Sequence, residues 1–352
     1  MKLYKLEALR GFAAFYVLLH HTIPVKSVNF LGYNFGFIFR FGQEAVILFF
    51  LLSGFVINYS YKRSSDKTFK TYFFKRFLRI YIPLIIVFAA SYLLAAYNAK
   101  SWIDPQLKTL ILNLLMLQDW EAVKPNVIAS AYMENTPLWS LSYEWWFYML
   151  YFPAMHLIND SSRHIAIYTL VVISTIAYIY SPIFPFRILT YLGIWWTGVY
   201  LSELYLEDKL GEIKAYRLPI MALTLPIFIL SYSMFLQRAQ GTKLLLGLHP
   251  VLEVRHFAFA LFAIIGSIAW RNYNWIGFDL LIKPFLLIAP ISYALYISHL
   301  PLMVDATYLN FIYSPVLRWA AYIFCVIVFS YIIEIIISVS YTHLTLPTIL
   351  LV

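Results

Sequence analysis

The sequence predicts an all-α, polytopic integral membrane protein with about ten transmembrane helices around a polar cavity. Composition is the first reason. Of 352 residues, 62% are hydrophobic and 12% charged, whereas a soluble domain is nearer half apolar and a quarter charged. Mean hydropathy is +0.74. Run length is the second reason. The apolar stretches approach the ~20 residues that a helix needs to cross hydrocarbon, unlike the short alternating segments of a β-barrel. Charge placement is the third. The formal charge of +9 gathers beside the apolar runs, as the positive-inside rule requires, which argues against a nucleic-acid partner.

Candidate spans run near 6–24, 43–60, 80–98, 138–158, 164–182, 187–206, 218–236, 251–270, 285–304 and 316–338. The first carries Arg10 and two histidines, so it reads as a retained anchor and not as a cleaved signal peptide. Between the second and third spans lie Lys62, Arg63, Lys67, Lys70, Lys75, Arg76 and Arg79. That cluster makes this loop and the N-terminus cytoplasmic. The long loop 99–137 then lies outside, and its apolar stretch 107–117 is too short to span, which suits a re-entrant or interfacial helix. The expected setting is a bacterial cytoplasmic (inner) membrane, with the lipid bilayer as the obligatory partner.

Residues 1–338 read as one membrane domain. The last fourteen, 339–352, break with the preceding helix in composition. SYTHLTLPT back-translates to a string resembling a transposase sequencing adapter, so this tail is read as non-native and His343 is set aside. The single Cys325 excludes an intramolecular disulfide and a cysteine-based metal cluster. There is no HExxH pair, Gly-rich phosphate cradle or acidic cluster with ligand spacing, and no metal is inferred.

Arg10 and His21 are the most informative residues. Ionisable groups are costly in hydrocarbon and normally face a bundle interior. Eleven steps at about 100° bring both side chains onto one helix face, roughly 16 Å apart along the axis. His20 falls about 80° off that line. The plainer reading is a snorkelling arginine and a hydrogen-bonded core histidine. Further along, Glu144 and Tyr148 are four apart and share a face, as do Ser292, Tyr296 and His299. Trp139, Trp145 and Trp146 also fit an interfacial aromatic belt. Ser53-Gly54 reads as a close-packing site rather than a nucleophile, since no G-x-S-x-G elbow surrounds it. Arg76 and Arg79 suit anionic lipid or the phosphates of a cytosolic ligand, which arginine grips bidentately. Glu44 and Arg255 are further charges near spans that a pair would neutralise, and Glu203 sits at a cytoplasmic end.

Five segments in this order resemble the acyltransferase 3 family of membrane O-acyltransferases. They are LRGFAAFYVLLHH with Arg10 and His21, FFLLSGFVI (49–57), FFKRFLRIYIP (73–83) with Arg76 and Arg79, PLWSLSYEWWFYMLYFP (137–153), and ISYALYISHLP (291–301). SYIIE (330–334) resembles the ending of the family's last helix. The second block departs from the common form, because Ala45–Leu48 occupies a stretch that often holds an acidic residue and Glu44 lies further upstream.

The resemblance implies transfer of an acyl group, commonly acetyl, from acyl-CoA to a carbohydrate hydroxyl. Acyl-CoA is then a donor substrate, with no permanently bound cofactor. In this reading Arg10, Arg76 and Arg79 hold the donor's phosphates. His21, with Glu144, carries the chemistry, either as general base or as acyl carrier. Tyr148, Tyr296 and His299 orient the acceptor or the histidine from the outer side. The carbohydrate acceptor meets the bundle itself or a separate extracytoplasmic partner. A transporter or flippase is the competing class, since polar pairs are equally expected there, although no inverted repeat is evident. A membrane sensor or scaffold would need no titratable stripe in its first span.

Overall fold

The computed structural model describes residues 3–23, 29–30 and 33–338. The expected non-native tail, 339–352, lies outside them. Among the described residues the chain is helical, apart from a two-residue ladder pairing β1 (Asn29–Phe30) antiparallel with β2 (Tyr33–Asn34). The helices are α1 (Tyr4–Thr22), α2 (Gly42–Arg63), α3 (Phe69–Ala99), α4 (Leu107–Leu114), α5 (Trp139–Leu157), α6 (Asp160–Tyr180), α7 (Phe184–Leu206), α8 (Arg217–Ala239), α9 (Val251–Asn272), α10 (Phe278–Leu281), α11 (Ser292–His299) and α12 (Pro315–Tyr331).

Six helices are long and apolar enough to cross a membrane: Gly42–Arg63, Phe69–Ala99, Asp160–Tyr180, Ile213–Ala239, Val251–Asn272 and Pro315–Ile337. The chain is thus an all-helical integral membrane protein. Three other expected spans form the helices α1, α5 and α7, which are richer in polar and aromatic side chains. Those side chains face protein rather than lipid: Trp195, Trp196, Tyr143, Tyr151 and Phe147 are wholly buried. The short apolar helix expected in the long loop is α4, lying outside the six.

The span expected over 285–304 is not one helix. It is broken into 3-10 turns at Lys283–Leu287 and Ala289–Ile291, then α11, then a π turn at Leu300–Val304. Pro284, Pro290 and Pro301 are the cause, because each lacks an N–H for the helical ladder. A side chain fills one of the resulting gaps. Pro301 cannot bond the Ile297 carbonyl, and Asn135 Nδ2 donates to it at 2.8 Å instead. Irregular backbone at membrane depth survives only where protein satisfies it in this way.

Glycine sets the close contact of α2 with α7. A Cβ on Gly54 would stand 2.0 Å from the Trp195 carbonyl oxygen, and one on Gly198 would stand 2.0 Å from that of Leu51. α2 and α7 therefore meet backbone to backbone, the packing expected of small residues in membrane helices. Connectivity gathers one set of helix ends together: the end of α1 and the starts of α2, α5, α7 and α9. We call this the His21 end.

Candidate active site

The shared face of Arg10 and His21 packs on the broken segment 289–299. Arg10 Nη2 donates to the Ala289 carbonyl at 3.1 Å. Eleven residues further along α1, His21 meets His299, with ring centroids 5.0 Å apart.

The hydrogen bonds define the proton positions. His299 Nδ1 lies 2.7 Å from the Tyr296 carbonyl, which can only accept. Its proton is therefore on Nδ1, and Nε2 is a lone pair. That lone pair faces His21 Nδ1 at 3.2 Å. His21 Nδ1 also lies 3.0 Å from the Val17 carbonyl, so it too bears the proton. In the neutral ring, His21 Nε2 then carries the lone pair, with no hydrogen bond to it among the described residues. Sequence spacing placed His299 on a stripe with Tyr296. It did not reveal that His299 backs the imidazole of His21.

His21 opens on a small, partly open cavity at its end of the bundle. Val17, His20, Gly42, Gln43, Val46, Trp120, Thr136, Pro137, Trp139 and Tyr296 complete the wall. His20 contributes although it lies off the Arg10–His21 line. Its Nδ1 meets the Phe39 carbonyl, and Gly42 leaves room for its ring, since a Cβ there would stand 2.3 Å from His20 Cδ2. The Tyr296 hydroxyl donates to the Pro137 carbonyl at 2.7 Å and lies 2.8 Å from Ser140 Oγ. It thereby ties the loop carrying Thr136 and Pro137 to α11.

Glu144 and Tyr148 form a second group. Ser53 Oγ donates to Glu144 Oε1 at 2.6 Å, and the Tyr148 hydroxyl donates to the same oxygen. Trp195 Nε1 donates to Ser53 Oγ at 3.2 Å. Glu144 and Ser53 are only half-buried although both lie mid-helix. Arg10 and Arg79 are near enough to act on the Glu144 carboxyl electrostatically. Among the described residues no hydrogen bond joins Glu144 to His21. Gly54 is the packing residue expected of Ser53-Gly54, while Ser53 adds a polar role that its apolar surroundings in sequence concealed.

The basic block divides. Arg79 Nη1 pairs with Glu334 Oε2 at 2.9 Å, and the Glu334 side chain is fully enclosed. Arg76 sits 4.4 Å over the Tyr72 ring. It lines a separate cleft with Ser60, Ser64, Thr71 and Lys75, and its Nε has no partner among the described residues. Glu44 pairs with Arg255. Glu203 bonds His164 at 2.8 Å and Lys62 at 3.4 Å.

Sequence reading overlooked a buried network at the His21 end. Lys124 Nζ donates to the Tyr143 hydroxyl at 2.8 Å and stands 4.2 Å over the Trp139 ring. The Tyr143 hydroxyl donates to Asp119 Oδ2 at 2.7 Å, which Arg187 Nε meets at 3.1 Å. Burial pulls the Lys124 ammonium down from 10.5 to about 8, against the pull of Asp119. The network clamps the loop bearing Trp120 onto α5 and α7.

Comparison with known proteins identifies the family. The acyltransferase domain model matches residues 3–335. Acyltransferase MdmB of Streptomyces mycarofaciens is 35% identical over 159 residues, which cover 43% of this chain and 38% of that protein. No solved structure matches. With a single family model running across nearly the whole chain, from ahead of Arg10 to beyond Glu334, the protein belongs to the acyltransferase 3 family of membrane acyltransferases.

Proposed function

We propose that the protein moves an acyl group, commonly acetyl, from cytosolic acyl-CoA to a hydroxyl of a cell-surface or lipid-linked carbohydrate. The observation that supports this best is the His21 imidazole. Val17 and His299 hold its Nδ1 side, and Nε2, beside a cavity, has no partner among the described residues. The N-terminus and the 62–79 loop face the cytoplasm in this reading, and the His21 cavity faces outward across the inner membrane.

Arg10, Arg76 and Arg79 hold the donor's phosphates, and its flexible arm reaches through the bundle toward His21. His21 Nε2 takes the proton of the acceptor hydroxyl as the oxygen attacks the thioester carbonyl. The tetrahedral intermediate collapses, the C–S bond breaks, and the thiolate leaves with the proton from His21. Transfer through an acyl-histidine is the alternative step, and would carry the acyl group toward the outer side. His299 orients the His21 ring. Arg10 and Arg79 act on Glu144 electrostatically. Glu144, with Ser53 and Tyr148 bonded to it, therefore orients the thioester end of the path, in place of the roles expected of Glu144 beside His21 and of Tyr148 on the acceptor. Tyr296 shapes the acceptor side.

The test gives radiolabelled acetyl-CoA to membranes from cells with and without the gene, and identifies acylated glycans by mass spectrometry. Gene-dependent label in glycans with release of free CoA is expected. Movement of a glycan without CoA release would favour a transporter.

A further inference from the structure

Gln43, near the start of α2, lines the His21 cavity and is half-buried. Behind it His256 is fully buried, with Nε2 3.1 Å from Gln43 Oε1 and Nδ1 2.7 Å from the Tyr191 hydroxyl. A carboxamide oxygen can only accept. His256 therefore carries its proton on Nε2 and donates to Gln43, and the Tyr191 hydroxyl donates to the vacant Nδ1. One ring proton and one hydroxyl proton satisfy the chain from Tyr191 through His256 to Gln43. A fixed tautomer of this kind orients the outer group.

The polarity of the cavity follows. Gln43 Oε1 is occupied from behind, so its NH2 is the edge left for a ligand, with no partner among the described residues. His21 lines the same cavity, and its Nε2 accepts. The wall thus offers an amide donor together with an imidazole acceptor, the pattern that a pair of sugar oxygens matches. Among the described residues no acidic residue, lysine or arginine lines the cavity, so within them a charged acceptor would lose hydration without a counter-charge.

We infer that Gln43 is a specificity-determining residue whose amide NH2 donates to an oxygen of the acceptor, and that the acylated sugar unit is uncharged. His256 and Tyr191 act on Gln43 as positioning residues. The inference rests on the acyl-transfer reading above and adds which side chain grips the acceptor, and with what polarity.

The test uses the full chain in membranes, radiolabelled acetyl-CoA, and glycan extract from gene-deleted cells as acceptor. Gln43→Leu removes the donor. Gln43→Glu keeps the size and the contact to His256 but presents an acceptor to the cavity. Both variants should raise half-saturation for the glycan extract at least tenfold, with half-saturation for acetyl-CoA within twofold of wild type. Unchanged size-exclusion profiles show that both are folded. Glycan half-saturation within twofold of wild type in Gln43→Glu would overturn the donor role, because a merely packing side chain tolerates that change. Mass spectrometry should find the acetyl group on a neutral sugar. A uronic acid or phosphosugar at that position overturns the uncharged-acceptor inference. Absence of label with wild type overturns the acyl-transfer reading itself, and is distinguished from these outcomes by needing no variant.

Discussion

His299 Nε2 stands 3.2 Å from His21 Nδ1, joining residues 278 positions apart in the chain. The contact gives the imidazole of α1 a fixed orientation and leaves Nε2 as its outward base.

If His21 moves the proton, His21→Ala should lower kcat by about 10²- to 10⁴-fold, the usual contribution of a positioned general base. Labelled acyl transfer to membrane glycans measures this. Transfer at the wild-type rate would remove His21 from the chemistry.

His299→Ala should lower kcat about tenfold or more through loss of ring orientation, as when the partner that orients a catalytic ligand is removed. Half-saturation for acetyl-CoA should hold, and the pH–rate profile should shift, since the group facing His21 Nδ1 is gone. An unchanged profile would make His299 a packing residue only.

The Arg79–Glu334 pair separates stability from donor binding. Arg79→Met leaves the enclosed Glu334 carboxyl without its counter-charge, a class of change that costs about 3–5 kcal/mol. Both thermal stability and donor affinity should fall. Adding Glu334→Met should restore most of the melting temperature but not the donor affinity. Recovery of both would mean that Arg79 has no part in binding the donor.

Gly54→Leu should abolish folded protein, since a Cβ at that position already stands 2.0 Å from the Trp195 carbonyl. Overpacking typically costs 1–3 kcal/mol and more where backbone must move. Yield of monodisperse protein after detergent extraction reports it, and a wild-type yield would show that α2 and α7 can separate.

Lys124 carries a pH signature. Its folded value of about 8 lies below the ordinary 10.5 because of burial. Between those values the unfolded chain binds the proton and the folded chain does not, so this group makes stability rise with pH across that window. At 1.36 kcal/mol per pH unit the rise approaches roughly 3 kcal/mol. Melting temperatures of wild type minus Lys124→Met, followed from pH 7 to 10.5, should climb. A flat difference would place Lys124 in water.

Much of the architecture was legible in the chain because hydrocarbon is a simple solvent. It demands long apolar helices and penalises charge, so α1, α2 and α5 to α9 stand close to their expected spans, whereas α3 starts eleven residues before its expected span and 285–304 is broken. The same penalty made Arg10 and His21 conspicuous, and helical periodicity put them on one face. Glu144 and Tyr148 were paired by their spacing alone. Long-range contacts were not legible. The three prolines near 285–304 suggested nothing of the carbonyl that Asn135 must satisfy, and Ser53 looked like packing until Glu144 arrived from another helix.

By itself, then, the sequence determined the membrane class, the order of the helices and the costly residues of α1, all of which follow from local composition and a helical repeat. Tertiary structure alone decided which partners those residues meet: His299 behind His21, Glu334 on Arg79, and the Tyr191–His256 chain behind Gln43. Hydrogen bonds act over about 3 Å. Only the packed bundle brings groups separated by tens to hundreds of residues within that reach and thereby sets where each proton sits.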